Sequence, residues 1–505
     1  MAHYQVLIVG SGPVGSAFAR RLAASGAARH MLMVEAGADL QGSGGANTRN
    51  LPLPQREAAY AEARGFALAD TSAAPEGALK ARPGTFLARP EALATDPGMP
   101  AAAMSSNLGG MGAHWTCACP RPGDSECIPF VDPARLEAAF ATAETYLSVT
   151  QAGFPETRAS HHVIGRLRDA FGEGRAPDRQ PQPMPLACRP DGAQPQWAGV
   201  DVVLGDLATP EGRAAAGLEL RCNTLCRRLL VQGGRVTGAE LVDLTTGAVQ
   251  TVTADVVVVA GDALRTPQLL HASGIRPAAL GRWLNDQPQV IALIELDLDG
   301  GTAAGVRAGT SNGALSDGRD GVSGVSWLPF HDPEFPFHAQ LMQMDTSPIA
   351  LPPLPDGTTR PVVGLGLFLA KDMRADDRIT FDGGADALGM PRFRLDYALT
   401  QADRARVARA FDWAHRIGQA LGRVVPGGEP MLLPAGTSLH YQGTHRIGPK
   451  DDGTSVCDPD GRVWGIQNLY LGGNGAIPTA TACNPTLTAV ALAVLAAERI
   501  AETLR

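Results

Sequence analysis

Gly10, Gly12 and Gly15 stand in the pattern GxGxxG, and Glu35 follows 20 residues after the last of them. Each position has its own physical reason. Gly10 permits a tight turn, Gly12 lets backbone amides approach a pyrophosphate, and Gly15 lets a helix pack closely on a strand. The N-terminus of that helix offers partial positive charge to phosphates. Glu35 can accept from ribose hydroxyls and repels a 2′-phosphate. The chemistry is dinucleotide binding, and the motif leaves FAD and NAD both open. Cys117, Cys119 and Cys127 lie near one another, but no CxxC pair makes a zinc site. The eight cysteines read as small buried hydrophobes, and no metal is expected.

A strand must deliver these glycines and a helix must begin on them. Residues 4–9 are a continuous apolar run, which predicts a buried parallel strand, and the Ala-rich segment after Gly15 predicts a helix. "HMLMVEAGAD" predicts the second strand, ending at Glu35. Residues 133–148 and 401–422 predict helices. Between 218 and 260, apolar segments are punctuated by "QGGR" and "TTGA", the marks of hairpins, and end in the bare run Val256 to Ala260. "NLYLGGNG" predicts a strand entering a Gly-rich turn, followed by a final helix. Residues 60–100 show no periodicity and predict a long loop, a common form for an active-site lid.

Composition narrows the classes. Hydrophobic residues are 44% and charged residues 19%, so the chain is globular. Its 59 glycines and 39 prolines make roughly a fifth of it, against about 12% in average usage. That excess predicts many turns and long connections. The net charge of −8 disfavours nucleic acid as a partner. The apolar start is too short for a signal peptide or a membrane span, and the apolar C-terminal segment carries Glu498, Arg499 and Glu502. The expectation is a cytoplasmic protein with no membrane partner.

Further segments decide between the dinucleotides. "EAGAD" at Glu35, "SSNLGGMGAHWT" (105–116), "VVVAGDALRTPQLLHASG" (257–274), "LHYQGTHRIG" (439–448) and "NLYLGGNGAIPTATACNPTLTAVALA" (468–493) together resemble the glucose–methanol–choline (GMC) oxidoreductases, in their pyranose oxidase branch. "QLMQMD" (340–345) and "DDRITFDGGADALGMP" (376–391) resemble the substrate domain of that branch. The resemblance runs through nearly the whole chain in order. It implies FAD and an α/β fold of two domains. A discontinuous, Rossmann-like FAD domain would take 1–60, 100–130, 200–289 and 431–505. A mixed-sheet substrate domain would take 61–99, 131–199 and 290–430, with the active-site loop at 60–100.

The resemblance also implies site residues. Alcohol oxidation by a flavin needs a hydride donor facing N5 and a base for the hydroxyl proton. His440 takes the base position, and Asn484 completes the His–Asn form of the family pair. A neutral imidazole accepts a proton near pH 7, since its unperturbed pKa is about 6.5. His445 is expected to be structural. Gly110, His114 and Thr116 fall in the flavin segment, with Thr116 near N5 and O4. His114 matches the histidine that fungal pyranose oxidases bond to the flavin. Here Gly112 and Ala113 replace their Ser–Thr pair, and covalent and non-covalent FAD both stay open. Cys226 matches a backbone contact to adenine, Asn474 and Ile477 the turn near the pyrophosphate and ring, and Thr486 an amide facing the pyrimidine. Gln340 and Asp345 are the substrate candidates. The implied activity is oxidation of a ring secondary alcohol, C2 or C3, of a pyranose or glycoside, with oxygen as acceptor and hydrogen peroxide as product. A quinone-dependent dehydrogenase, a non-catalytic flavin-binding protein and a nicotinamide-dependent reductase are the alternatives. A reductase would need a second nucleotide motif, and none is found. Monomer, dimer and tetramer all stay open.

Overall fold

The computed structural model describes residues 1–52, 54–56, 58–59, 83–88, 98–192, 195–298, 322–344 and 361–505. Most of the expected 60–100 loop lies outside them, as does Asp345.

Five parallel strands form the first sheet's centre. In spatial order they are Leu469–Leu471, the C-terminal half of Val249–Val259, Ala2–Val9, Met31–Val34 and Leu218–Arg221. The inner strands have continuous apolar runs because both faces are covered: Val6 to Ile8, Met31 to Met33 and Val257 to Val259 are fully buried, whereas the edge strand Leu218–Arg221 carries Glu219 and Arg221 and is only partly buried. The hairpin Thr224–Gln232 and Arg235–Asp243 extends the sheet in antiparallel fashion from the other half of Val249–Val259. Its turn uses Gly233 and Gly234, both at positive φ, where "QGGR" predicts it.

Helix Thr486–Thr503 packs against both Pro13–Ser25 and Pro133–Leu147 beside this sheet. It is buried nearly all round, from Leu487 to Ala501. Helix Pro133–Leu147, expected with the substrate half, therefore belongs to the first layer. Its apolar face, with Ala139, Phe140, Ala143 and Leu147, is buried in the same core as that sheet.

The second sheet is antiparallel, in the order Gly422–Val424, Gln289–Leu296, Val362–Leu369, Phe337–Met344, Val322–Leu328, Gln182–Pro183. Helices Gln401–Leu421 and Arg158–Phe171 cover one face, with Val163, Trp413 and Ile417 packed in one cluster with Leu341, Leu365 and Leu367. Strand alternation then turns His338, Gln340 and Met342 to the opposite face. Among the described residues no helix is long and apolar enough to cross a membrane, and no group of three His, Cys, Asp or Glu side chains is placed to hold a metal.

Candidate active site

The C-terminal ends of the parallel strands meet the second sheet's uncovered face at a cavity of about 1070 Å³. This is where an open α/β sheet binds ligands. The three glycines divide their work there. Gly10, at φ 102°, lies so close to the end of Val249–Val259 that a Cβ would sit 2.4 Å from the Ala260 carbonyl oxygen. Gly15 packs on Gly10, its Cβ position 2.0 Å from that carbonyl oxygen. Gly12 has open space, with only Gly109 O at 3.9 Å, and caps helix Pro13–Ser25 at the cavity wall.

Glu35 is buried at the same wall. Its Oε2 accepts from Ser11 Oγ at 2.7 Å and its Oε1 from Gly37 N at 2.9 Å. Burial pushes the carboxyl above its ordinary range in spite of these donors. Ser11 Oγ also accepts from Gly109 N at 3.0 Å, so it joins the glycine turn to the 109–114 segment. Gly110, His114 and Thr116 border the cavity, as do Cys226, Asn474 and Thr486. His114 is buried, with Nδ1 3.5 Å from Thr48 Oγ1. Ile477 is a correction: its side chain is fully buried in the first layer's core and does not line the cavity. It follows the one-turn helix Asn474–Ala476, whose polar start faces the cavity and whose apolar exit turns inward.

His440, Asn484 and Gln340 meet at the wall formed with the second sheet. Gln340 Nε2 donates to Asn484 Oδ1 at 2.6 Å, which leaves Asn484 Nδ2 facing His440 Nε2 at 3.3 Å. Gln287 fixes the other side of the ring. Its Nε2 donates to Cys483 O at 2.7 Å, so its Oε1 faces His440 Nδ1 at 2.6 Å. An amide oxygen only accepts, so the proton sits on Nδ1 and Nε2 presents a bare lone pair. Burial holds the imidazole neutral, its pKa pushed down to about 3. His445, by contrast, is wholly enclosed beneath Gly475 and does not reach the cavity, so it has a structural place.

The backbone at His440 is also held. Leu439 adopts φ 59°, a left-handed conformation that a branched residue enters at a cost of about 1 kcal/mol. Asp286 stabilises that turn by accepting from Ser438 Oγ, Gly436 N and His440 N. The run Asn285–Asp286–Gln287 was not among the sequence candidates. Its signal was available: three consecutive polar residues directly ahead of a buried strand.

Burial raises Asp286 to about 6, from an ordinary 3.8. The folded chain therefore binds this proton more tightly than the unfolded one. Its contribution to stability is complete below about 3.8 and is lost as pH rises through about 6. The three donors, however, need the carboxylate. Turnover should fall as pH drops below about 6 while this group gains stability. Asp286→Asn should flatten that acid limb in a pH–rate profile.

FAD fits these residues. The open face at Gly12, the helix N-terminus behind it, buried Glu35 and the length of the cavity from Gly12 to Asn484 suit a dinucleotide whose ring end lies at His440. Comparison with known proteins agrees. Two family models described as GMC oxidoreductase match residues 208–289 and 374–493. The chain is 46% identical to a C-glycoside 3-oxidase of Arthrobacter globiformis over 516 residues, covering 100% of this chain and 96% of that one. It is 30% identical to a pyranose 2-oxidase of Tricholoma matsutake, covering 99% and 94%. A solved pyridoxine 4-oxidase from Mesorbium loti shares the fold, with TM-score 0.63 at 17% identity over 98% and 99% of the chains. The chain belongs to the GMC oxidoreductase family. It is an enzyme of that family's two-domain α/β flavoprotein fold.

Proposed function

We propose that the protein oxidises the C3 hydroxyl of a pyranose ring, in a glycoside before a free sugar, to the ketone. The observation that carries this is the His440 Nε2 lone pair 3.3 Å from Asn484 Nδ2, on the wall of the cavity that begins at the dinucleotide turn. Asn484 Nδ2 donates to the reacting oxygen and orients it. His440 Nε2 takes the hydroxyl proton as the ring C–H hydride departs. Gln340, already bonded to Asn484, and Gln289, which also lines the cavity, offer amides to the neighbouring hydroxyls. Met342 and Phe368 give an apolar wall for the ring's C–H face. When bound, FAD supplies the hydride acceptor. Gly10, Gly12, Gly110 and Asn474 would hold its pyrophosphate, Glu35 a ribose, Cys226 the adenine end, and Thr116 and Thr486 the ring. C3 is preferred to C2 because the 46% identical relative is named a 3-oxidase and the 30% identical one a 2-oxidase.

Dioxygen is the proposed acceptor. Anaerobic mixing with a panel of glycosides and free sugars should bleach the flavin band near about 450 nm with glycosides first. Readmitted air should restore it and release hydrogen peroxide. Recovery only with a quinone would make the protein a dehydrogenase, and no bleaching by any sugar would remove the carbohydrate assignment. Acid precipitation tests His114: a yellow pellet means a covalent bond, a yellow supernatant a flavin held without one.

A further inference from the structure

One buried carboxylate lies behind the reacting groups. Glu126 closes the one-turn helix Asp124–Glu126 and is 1% exposed. Its Oε1 accepts from two consecutive amides, Ala482 N at 2.8 Å and Cys483 N at 2.9 Å. Its Oε2 accepts from Gly123 N and from His338 Nε2, each at 3.0 Å. Its backbone oxygen accepts from Thr479 Oγ1 at 2.8 Å. Trp327 Nε1 donates to His338 Nδ1 at 2.8 Å. An indole N–H only donates, so Nδ1 is bare and the His338 proton sits on Nε2, aimed at Glu126. Burial alone would raise this carboxyl, but His338 and the backbone donors hold it below its ordinary range.

The positions of these partners matter. Cys483 is the residue before Asn484, and its carbonyl accepts from Gln287, which in turn holds His440. His338 lies two residues before Gln340 on the same strand and face, and Gln340 holds Asn484. We infer that Glu126 is a further positioning residue of the reaction: by gripping 482–483 and His338 together it sets the spacing between Asn484 and His440. It acts through these residues and does not line the cavity. A neutral amide cannot replace it, because an NH2 group would face an N–H donor on either side.

The inference rests on the proposed sugar oxidation, and the test separates the two. Anaerobic flavin reduction by a glycoside is followed in wild type, Glu126→Gln, Asn484→Ala and the double variant, with flavin content and Tm recorded for each. Glu126→Gln should keep its flavin and its KM within about threefold, while the reduction rate falls about 100-fold, the loss that a misplacement of about 1 Å brings. In the Asn484→Ala background the same change should cost about tenfold or less, since its target is already gone. Equal losses in both backgrounds, or a normal rate in Glu126→Gln, would overturn the role. Should Glu126→Gln fail to fold, His338→Gln carries the test: a loss of about tenfold is expected, and none would overturn it. A wild type that no glycoside reduces points instead at the functional reading.

Discussion

His440→Ala should bind FAD and stay yellow, yet lose sugar-driven flavin reduction by about 100- to 10,000-fold, the range a positioned base contributes. The ring's bonds go to Gln287 and Asn484, not to the glycine turn or to Glu35, so the cofactor end of the cavity keeps its own bonds. The rate should be restored in part by added imidazole if the lost group is a base alone. Wild-type reduction should show no acid limb set by the ring, because burial pushes the pKa of this imidazole down to about 3. Stopped-flow reduction across pH, under nitrogen, checks both statements. A near-normal rate in the variant would take His440 out of the reaction.

The second large effect is at the other end. Gly15→Ala places a carbon 2.0 Å from the Gly10 carbonyl oxygen, where both partners are backbone and no rotamer change can relieve the clash. Helix Pro13–Ser25 must lift from the strand end, at a cost of about 3 kcal/mol. That displacement falls on Gly12 and the amides meant for the pyrophosphate. FAD affinity should drop about 100-fold, leaving a largely colourless protein with lowered Tm. Gly12→Ala makes the comparison, since a Cβ there meets only Gly109 O at 3.9 Å and faces the cavity. It should fold with wild-type Tm in the absence of FAD.

Much of this was legible in the chain. Continuous apolar runs found the inner parallel strands, because burial on both faces leaves no alternation to confuse the reading, but not Leu218–Arg221, an edge strand that carries Glu219 and Arg221. "QGGR" and "TTGA" found the hairpins, since glycine at positive φ is the cheap way to make such turns. Family likeness named His440, Asn484 and Gln340 as candidates, and the fold links them through hydrogen bonds at one wall. What stayed hidden was polar and non-local. Gln287, Asp286 and Glu126 have partners about 150 to 360 residues away, and nothing in their own neighbourhoods says which carbonyl or amide they meet. Ile477 shows the opposite error: a residue inside a functional motif can serve the core. Helix Pro133–Leu147 went to the wrong half for a similar reason, since its periodicity showed an apolar face but not which sheet would receive it.

The interleaving of the first sheet bears on how the chain is made. Strand Ala2–Val9 pairs with Val249–Val259, so Ala2 meets Val252 across 250 residues, and Leu469–Leu471 joins later still. At about 5–20 residues per second, the first strand waits roughly 10–50 s of synthesis before that partner exists. Through that interval its edge and the apolar face of helix Pro13–Ser25 lie open to other chains. A ribosome-bound intermediate can hold the glycine turn, but His440 and Asn484 arrive after both sheets are largely written. A chaperone that shields a bare sheet edge should therefore raise the yield of active protein more than added flavin does, and slower translation, which lengthens the exposure, should lower it.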